Sequence, residues 1–213
     1  MADVNLQLVR EFFELHLFRV LTNWQQDPAW ERAGELGPQM FVDNAQPVLD
    51  REPRFVLRPV DLYAIERAIV EVRAWHTDRF YPSVVEASPI LWQFVQKDAL
   101  SLARNVFDGQ LFRTILVISE LPASAEQRQR TIDLLRENGV GHVLEFPTIL
   151  QQLLNLLSAN TSYGASQTLQ TLRLLKRYRL VRHQQMEFPF RPDPAMSPPA
   201  FVETVEVPED DTD

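Results

Sequence analysis

The chain has no cysteine among its 213 residues, which excludes a disulfide scaffold, a thiol nucleophile and any cysteine-ligated zinc or iron–sulfur centre. It has six glycines, and none of them build a glycine-rich phosphate loop. No apolar run reaches the roughly 18 residues of a membrane span, so no membrane partner is expected. The opening Met1-Ala2-Asp3-Val4-Asn5 lacks the basic start and apolar stretch of a signal peptide, and the expectation is a cytoplasmic protein. His16, His76, His142 and His183 stand at no metal-ligand spacing. Ser119 and Ser124 lack the glycine frame of a nucleophile elbow. There is no internal repeat.

What is present begins with apolar content. At 45% hydrophobic the chain can bury a core, which rules out wholesale disorder. Its net charge of −8 is unevenly spread. Residues 189–213 hold one base, Arg191, against seven acids, a net of −6. The body is therefore close to neutral. Residues 146–186 contain no acid, while Arg173, Lys176, Arg177, Arg179 and Arg182 supply +5. That asymmetry permits a polyanion partner without requiring one.

Periodicity predicts a first helix over residues 4–24, from Leu6, Val9, Phe13, Leu17, Val20 and Leu21. Residues 27–54 read as irregular, with a short strand at Met40-Phe41-Val42. Residues 55–65 and 68–75, rich in Val, Ile, Phe and Tyr, read as a hairpin with a break at Glu66-Arg67. Ser88-Pro89 is expected to open a helix that runs through Phe107. Residues 112–119 are almost continuously apolar and predict a strand buried on both faces. Ser124 starts a helix with a capping-box pattern, and Asn138-Gly139 stops it. A strand over 140–146 follows, parallel to the preceding one, then helices over 148–157 and 166–181. Three regions result: an α/β core over 1–146, a C-terminal helical extension over 147–188, and a Pro-rich acidic tail over 189–213 that reads as disordered or bound in extended form.

The hairpin carries the chemistry. Side chains alternate along a strand, so Glu71 and Arg73 share a face. With a three-residue connection Asp61 stands opposite Glu71, with Cβ atoms roughly 5 Å apart. With a two-residue connection it points away. Two facing carboxylates need a cation, a shared proton or generous solvent, and with oxygen-rich surroundings they form a plausible magnesium site.

In this order of elements, with Asp61 and Glu71-Val72-Arg73, the sequence resembles the PD-(D/E)xK, or restriction-endonuclease-like, nuclease superfamily over about residues 4–146. The resemblance implies a mixed β-sheet flanked by helices. It implies magnesium held by Asp61 and Glu71, with a first-helix carboxylate, Glu14 or Glu11, added to the metal shell. The implied activity is hydrolysis of a nucleic-acid phosphodiester. Two departures stand out. Pro59 is two residues before Asp61, not adjacent, and Arg73 replaces the lysine. An arginine stays protonated and stabilises charge without exchanging protons. The resemblance offers Lys97, on the following helix, as a substitute that would reach in as relocated lysines do in some relatives, and His76 closes the Glu71 strand at the edge of such a site. The alternative is a catalytically inactive descendant acting as an interaction, scaffold or nucleic-acid-binding subunit, with a protein partner or a second copy of itself. The C-terminal helix, with Arg173, Lys176, Arg177 and Arg179 around an apolar stripe and a strand-like 182–188 after it, faintly resembles a winged helix that would contact DNA or RNA. Set against this, Asp61 and Glu71 also read as ordinary hairpin residues salt-bridged to Arg58, Arg67 or Arg73, and the bases as solubilising charge.

Overall fold

The computed structural model describes residues 4–22, 40–48 and 50–181. Helix α1 (Val4–Leu15) leads into β1 (Phe18–Thr22) and β2 (Met40–Asn44). A 3-10 turn (Pro59–Ala64) precedes β3 (Arg67–Arg73). Helix α2 (Pro82–Glu86), a second 3-10 segment (Pro89–Val95) and α3 (Lys97–Val106) connect β3 to β4 (Arg113–Ile118). Then come α4 (Ala125–Glu137), β5 (His142–Glu145), α5 (Phe146–Leu156) and α6 (Gln167–Arg177).

The five strands form one mixed sheet in the order β1-β2-β3-β4-β5. β1, β2 and β3 are successively antiparallel, whereas β4 and β5 run parallel to β3. Both faces are covered. Met40, Val42, Val70, Ile115, Val117 and Leu144 meet α1, α5 and α6 on one side. Phe41, Ile69, Leu116, Ile118 and Val143 meet α2, α3 and α4 on the other. β4 shows why residues 115–118 are all apolar: alternate residues enter different cores, and Ile115 to Ile118 are all fully buried. Ile149 and Leu153 of α5 are fully buried as well, each contributing about 1.5–3 kcal/mol. Residues 147–181 therefore complete the core beneath α1. The strand-like 182–188, the winged-helix arrangement and the acidic tail lie outside the described residues.

Several local expectations hold. The short strand at Met40, the parallel β4 and β5, and the stop at Asn138-Gly139 are all present, with Gly139 at φ +87° where only glycine is unstrained. Others need correction. The first helix ends at Leu15, not 24, because Leu17 takes φ +64° and turns the chain so that Phe18 to Thr22 pair with β2. The helix expected from Pro89 to Phe107 is broken at Gln96, which is extended, and Ser88 makes no side-chain cap.

The largest correction concerns the hairpin. Residues 55–65 are not a strand paired with β3. The antiparallel partner of β3 is β2, in the register Met40↔Val70 and Val42↔Ala68. Pro59 presets a turn-compatible φ and lacks a ladder donor, and it opens the 3-10 turn in which Asp61 sits. Only Val56 makes a strand-like bridge, and it does so with Val143 of β5.

Candidate active-site edge

β3, β4 and β5 all end at the same edge of the sheet, where ligands of parallel α/β sheets usually bind. Glu71 and Arg73 lie there on one face of β3, and the register puts Glu71 beside Leu116 of β4. Glu71 is 2% exposed, and its Oε1 meets Arg73 Nη2 at 2.5 Å. A buried carboxylate without a counter-charge would cost several kcal/mol, and the guanidinium two residues on provides that charge from the same strand. Arg73 Nε is buried and makes no hydrogen bond among the described residues.

The neighbouring acids at this edge are treated in the same manner. Glu120, just past β4, pairs with Arg79 at 3.0 Å. Glu145, the last residue of β5, pairs with Arg128 of α4 at 3.0 Å and accepts from Leu121 N–H at 2.9 Å. Glu71 and Glu145 face the same side but flank β4 two residues out of step. Strand spacing and rise put their Cα atoms about 12 Å apart, too far to share one ion. A crevice of about 450 Å³ opens at the Arg79–Glu120 pair, lined also by His76, Asp78, Tyr81 and Ser119. His76 packs edge-on against Phe146, and its Nε2 lies 3.0 Å from Asn5 Oδ1. Ser119 Oγ donates to the Asp78 carbonyl at 2.8 Å, so no serine–histidine pair forms.

The other expected ligands are elsewhere. Asp61, also 2% exposed, is tied into its own turn. Its Oδ2 accepts from Arg58 N–H at 2.9 Å, and its own N–H donates to the Arg58 carbonyl at 2.9 Å. Glu14 is on the surface, paired with Arg10 at 2.7 Å. Glu11 is buried in the opposite core, where its Oε1 accepts from Ser166 Oγ, the cap of α6, and from Gln7 at 3.1 Å. Lys97 is exposed in the first turn of α3. On β2 the acid is Asp43, which pairs with Arg19 at 3.1 Å and faces Arg67 at the far end of β3. Residues 36–42 of the sequence contain no acid. Among the described residues, no group of three or more His, Asp or Glu side chains converges to hold a metal ion.

The basic helix is partly occupied with structure. Lys176 Nζ donates to the carbonyls of Leu154 and Leu157, both at 2.6 Å, closing the C-terminus of α5. Arg173 Nε donates to the Ala159 carbonyl at 3.1 Å. Arg177 and Arg179 remain exposed.

Sequence reasoning found the pair Glu71 and Arg73 but missed Arg79, Arg128, Glu120 and Glu145. A usable signal existed: each of those acids lies at or just past the end of a strand that reads as parallel. Comparisons with protein-family models, with curated proteins and with solved structures give no match to this chain. Among the described residues no helix is long and apolar enough to cross a membrane.

Proposed function

We propose that this chain is a restriction-endonuclease-like protein whose metal position is taken over by an internal ion pair, and that it works as a non-catalytic interaction subunit with a protein partner. The architecture supports the first part. A helix, three antiparallel strands, a helical crossover to a parallel strand, a further helix and a fifth strand follow the order the resemblance requires. The contact of 2.5 Å between Glu71 and Arg73 carries the second part. A divalent cation would need the Glu71 carboxylate and at least one more acid beside it. Here the cation is a guanidinium that cannot be displaced by proton loss. The second acid expected from the resemblance, Asp61, is held within its own turn, where its Oδ2 accepts from the Arg58 N–H at 2.9 Å and from the Arg58 guanidinium at 3.4 Å. Two of the four bases proposed to contact nucleic acid, Arg173 and Lys176, are engaged with carbonyls of the helical layer, which favours a protein partner.

The test is a cleavage assay on single- and double-stranded DNA and RNA with Mg²⁺ or Mn²⁺, run beside melting curves with and without metal. The expected result is no cleavage and no metal-induced rise in Tm. Metal-dependent cleavage abolished by Glu71→Ala would overturn the proposal and restore magnesium hydrolysis at Glu71. Binding of DNA with a steep salt dependence, flattened by reversing Arg177 and Arg179, would make nucleic acid the partner instead.

A further inference from the structure

At the opposite edge of the sheet, residues 52–57 run beside the start of β5, with Val56 bridging Val143 in parallel and Glu52 reaching Arg113 at the start of β4. We propose that they form a strap over the free edge of β5 which acid releases through His142. The strap is held by backbone bonds: Leu57 N–H donates to the Val143 carbonyl at 2.8 Å, and Val143 N–H donates to the Phe55 carbonyl at 2.7 Å. Side chains clamp its length. The Glu52 carboxylate accepts two hydrogen bonds from the Arg113 guanidinium, at 2.7 and 3.1 Å. Arg136 of α4 lies over the Phe55 ring at 4.4 Å.

His142 sits in the middle of this clamp and is buried. Arg113 Nη1 lies 3.3 Å from its Nε2. A guanidinium has no acceptor, so Nε2 accepts and the ring proton is on Nδ1, which donates to the Arg54 carbonyl at 2.9 Å. The imidazole is therefore built in as a neutral ring. A second proton would turn Nε2 into a donor pointing at Arg113 and place two cations side by side. The charged groups facing the ring are Arg113 from β4, Glu52 from the strap and Asp61 from the 3-10 turn, with Arg136 of α4 at the rim of the same cavity. Burial, the largest influence, disfavours the protonated ring, as does Arg113; the bond to the Arg54 carbonyl, Glu52 and Asp61 favour it, and the net effect holds the ring below the ordinary histidine value. β5 is the last strand of the sheet, so opening of the strap leaves Val143 on an unpaired edge to which an extended segment can add.

The experiment is hydrogen exchange on the full chain from pH 7.5 to 4.5, corrected for intrinsic rates. It reads the Leu57 and Val143 amides against those of β3. An exposed ring in the open state titrates near 6.5, so the open fraction should rise about tenfold per pH unit below that value, until the closed-state ring itself titrates. The β3 amides should stay protected, and His142→Asn should flatten the dependence. Three outcomes overturn the proposal: strap protection that does not change with pH, simultaneous loss at the strap and β3, or a His142→Asn protein that opens as the wild type does. Should that variant not fold, NMR titration of the wild-type His142 ring decides. Strap opening that does not track the ring's protonation overturns the proposal equally.

Discussion

Glu71 and Asp61 are buried to the same degree, at 2% exposure each, yet the protein compensates them differently. Glu71 is held in a flat strand whose backbone groups are spent on the sheet, so its charge is met by a side chain, Arg73. Asp61 is in a turn, where the Arg58 backbone N–H is free to reach it, so its charge is met mainly by the chain itself. The contrast shows what a buried acid needs in each setting. In a strand the counter-charge must be imported, and whether it is a metal or an arginine decides between chemistry and structure. In a turn the acid is part of the local fold and has little left to offer a ligand.

The strongest way to break this comparison is Arg73→Ala, which removes the guanidinium paired with a buried carboxylate. The expected loss is about 3 kcal/mol, at the low end for a broken buried pair because the Arg73 side chain is still 21% exposed. Denaturant melts would read it. The double variant Glu71→Leu with Arg73→Met should lie within about 1 kcal/mol of the wild type or above it, since removing both charges leaves no debt. A double variant as unstable as Arg73→Ala would show that Glu71 has structural partners that outweigh the arginine.

Asp61→Ala should cost less, about 1.5–2 kcal/mol, the worth of a charge-assisted bond to a backbone donor. It should leave any response to Mg²⁺ unchanged. A metal response that depends on Asp61 would contradict its role as a turn residue.

Lys176→Ala is the cationic counterpart of that experiment, since Lys176 closes α5 as Asp61 closes its turn. We expect a loss of about 1–1.5 kcal/mol, against less than about 0.5 kcal/mol for exposed Arg177→Ala. Equal effects would remove the distinction between structural and free bases on α6.

Acid should produce the most gradual effect. His16 and His142 are both pushed below the ordinary histidine value, first of all by burial. At high pH each ring is neutral in both states and contributes no difference. As pH falls through about 6.5 the unfolded chain binds protons that the folded chain refuses, so stability drops until the folded rings titrate. Tm measured from pH 7.5 to 5 should therefore decline, and the double variant His16→Gln with His142→Asn should decline less.

The sequence by itself determined a good deal of this. The apolar run that becomes β4, the Asn138-Gly139 stop and the shared face of Glu71 and Arg73 follow from short-range rules: burial on two faces, the left-handed preference of glycine, and alternation along a strand. Only the tertiary structure decided which strand β3 pairs with. Residues 55–65 have strand-like composition and lie next to β3 in sequence, so a hairpin was the local solution. The fold instead brings Met40 to Asn44 alongside β3 and lets Pro59 curl the intervening chain into a turn. Composition measures how well a segment suits a pleated, half-buried surface, not which partner supplies that surface. Pairing across the chain depends on what the whole core buries at once. That choice separated Asp61 from Glu71 and left Arg73 as the cation beside it.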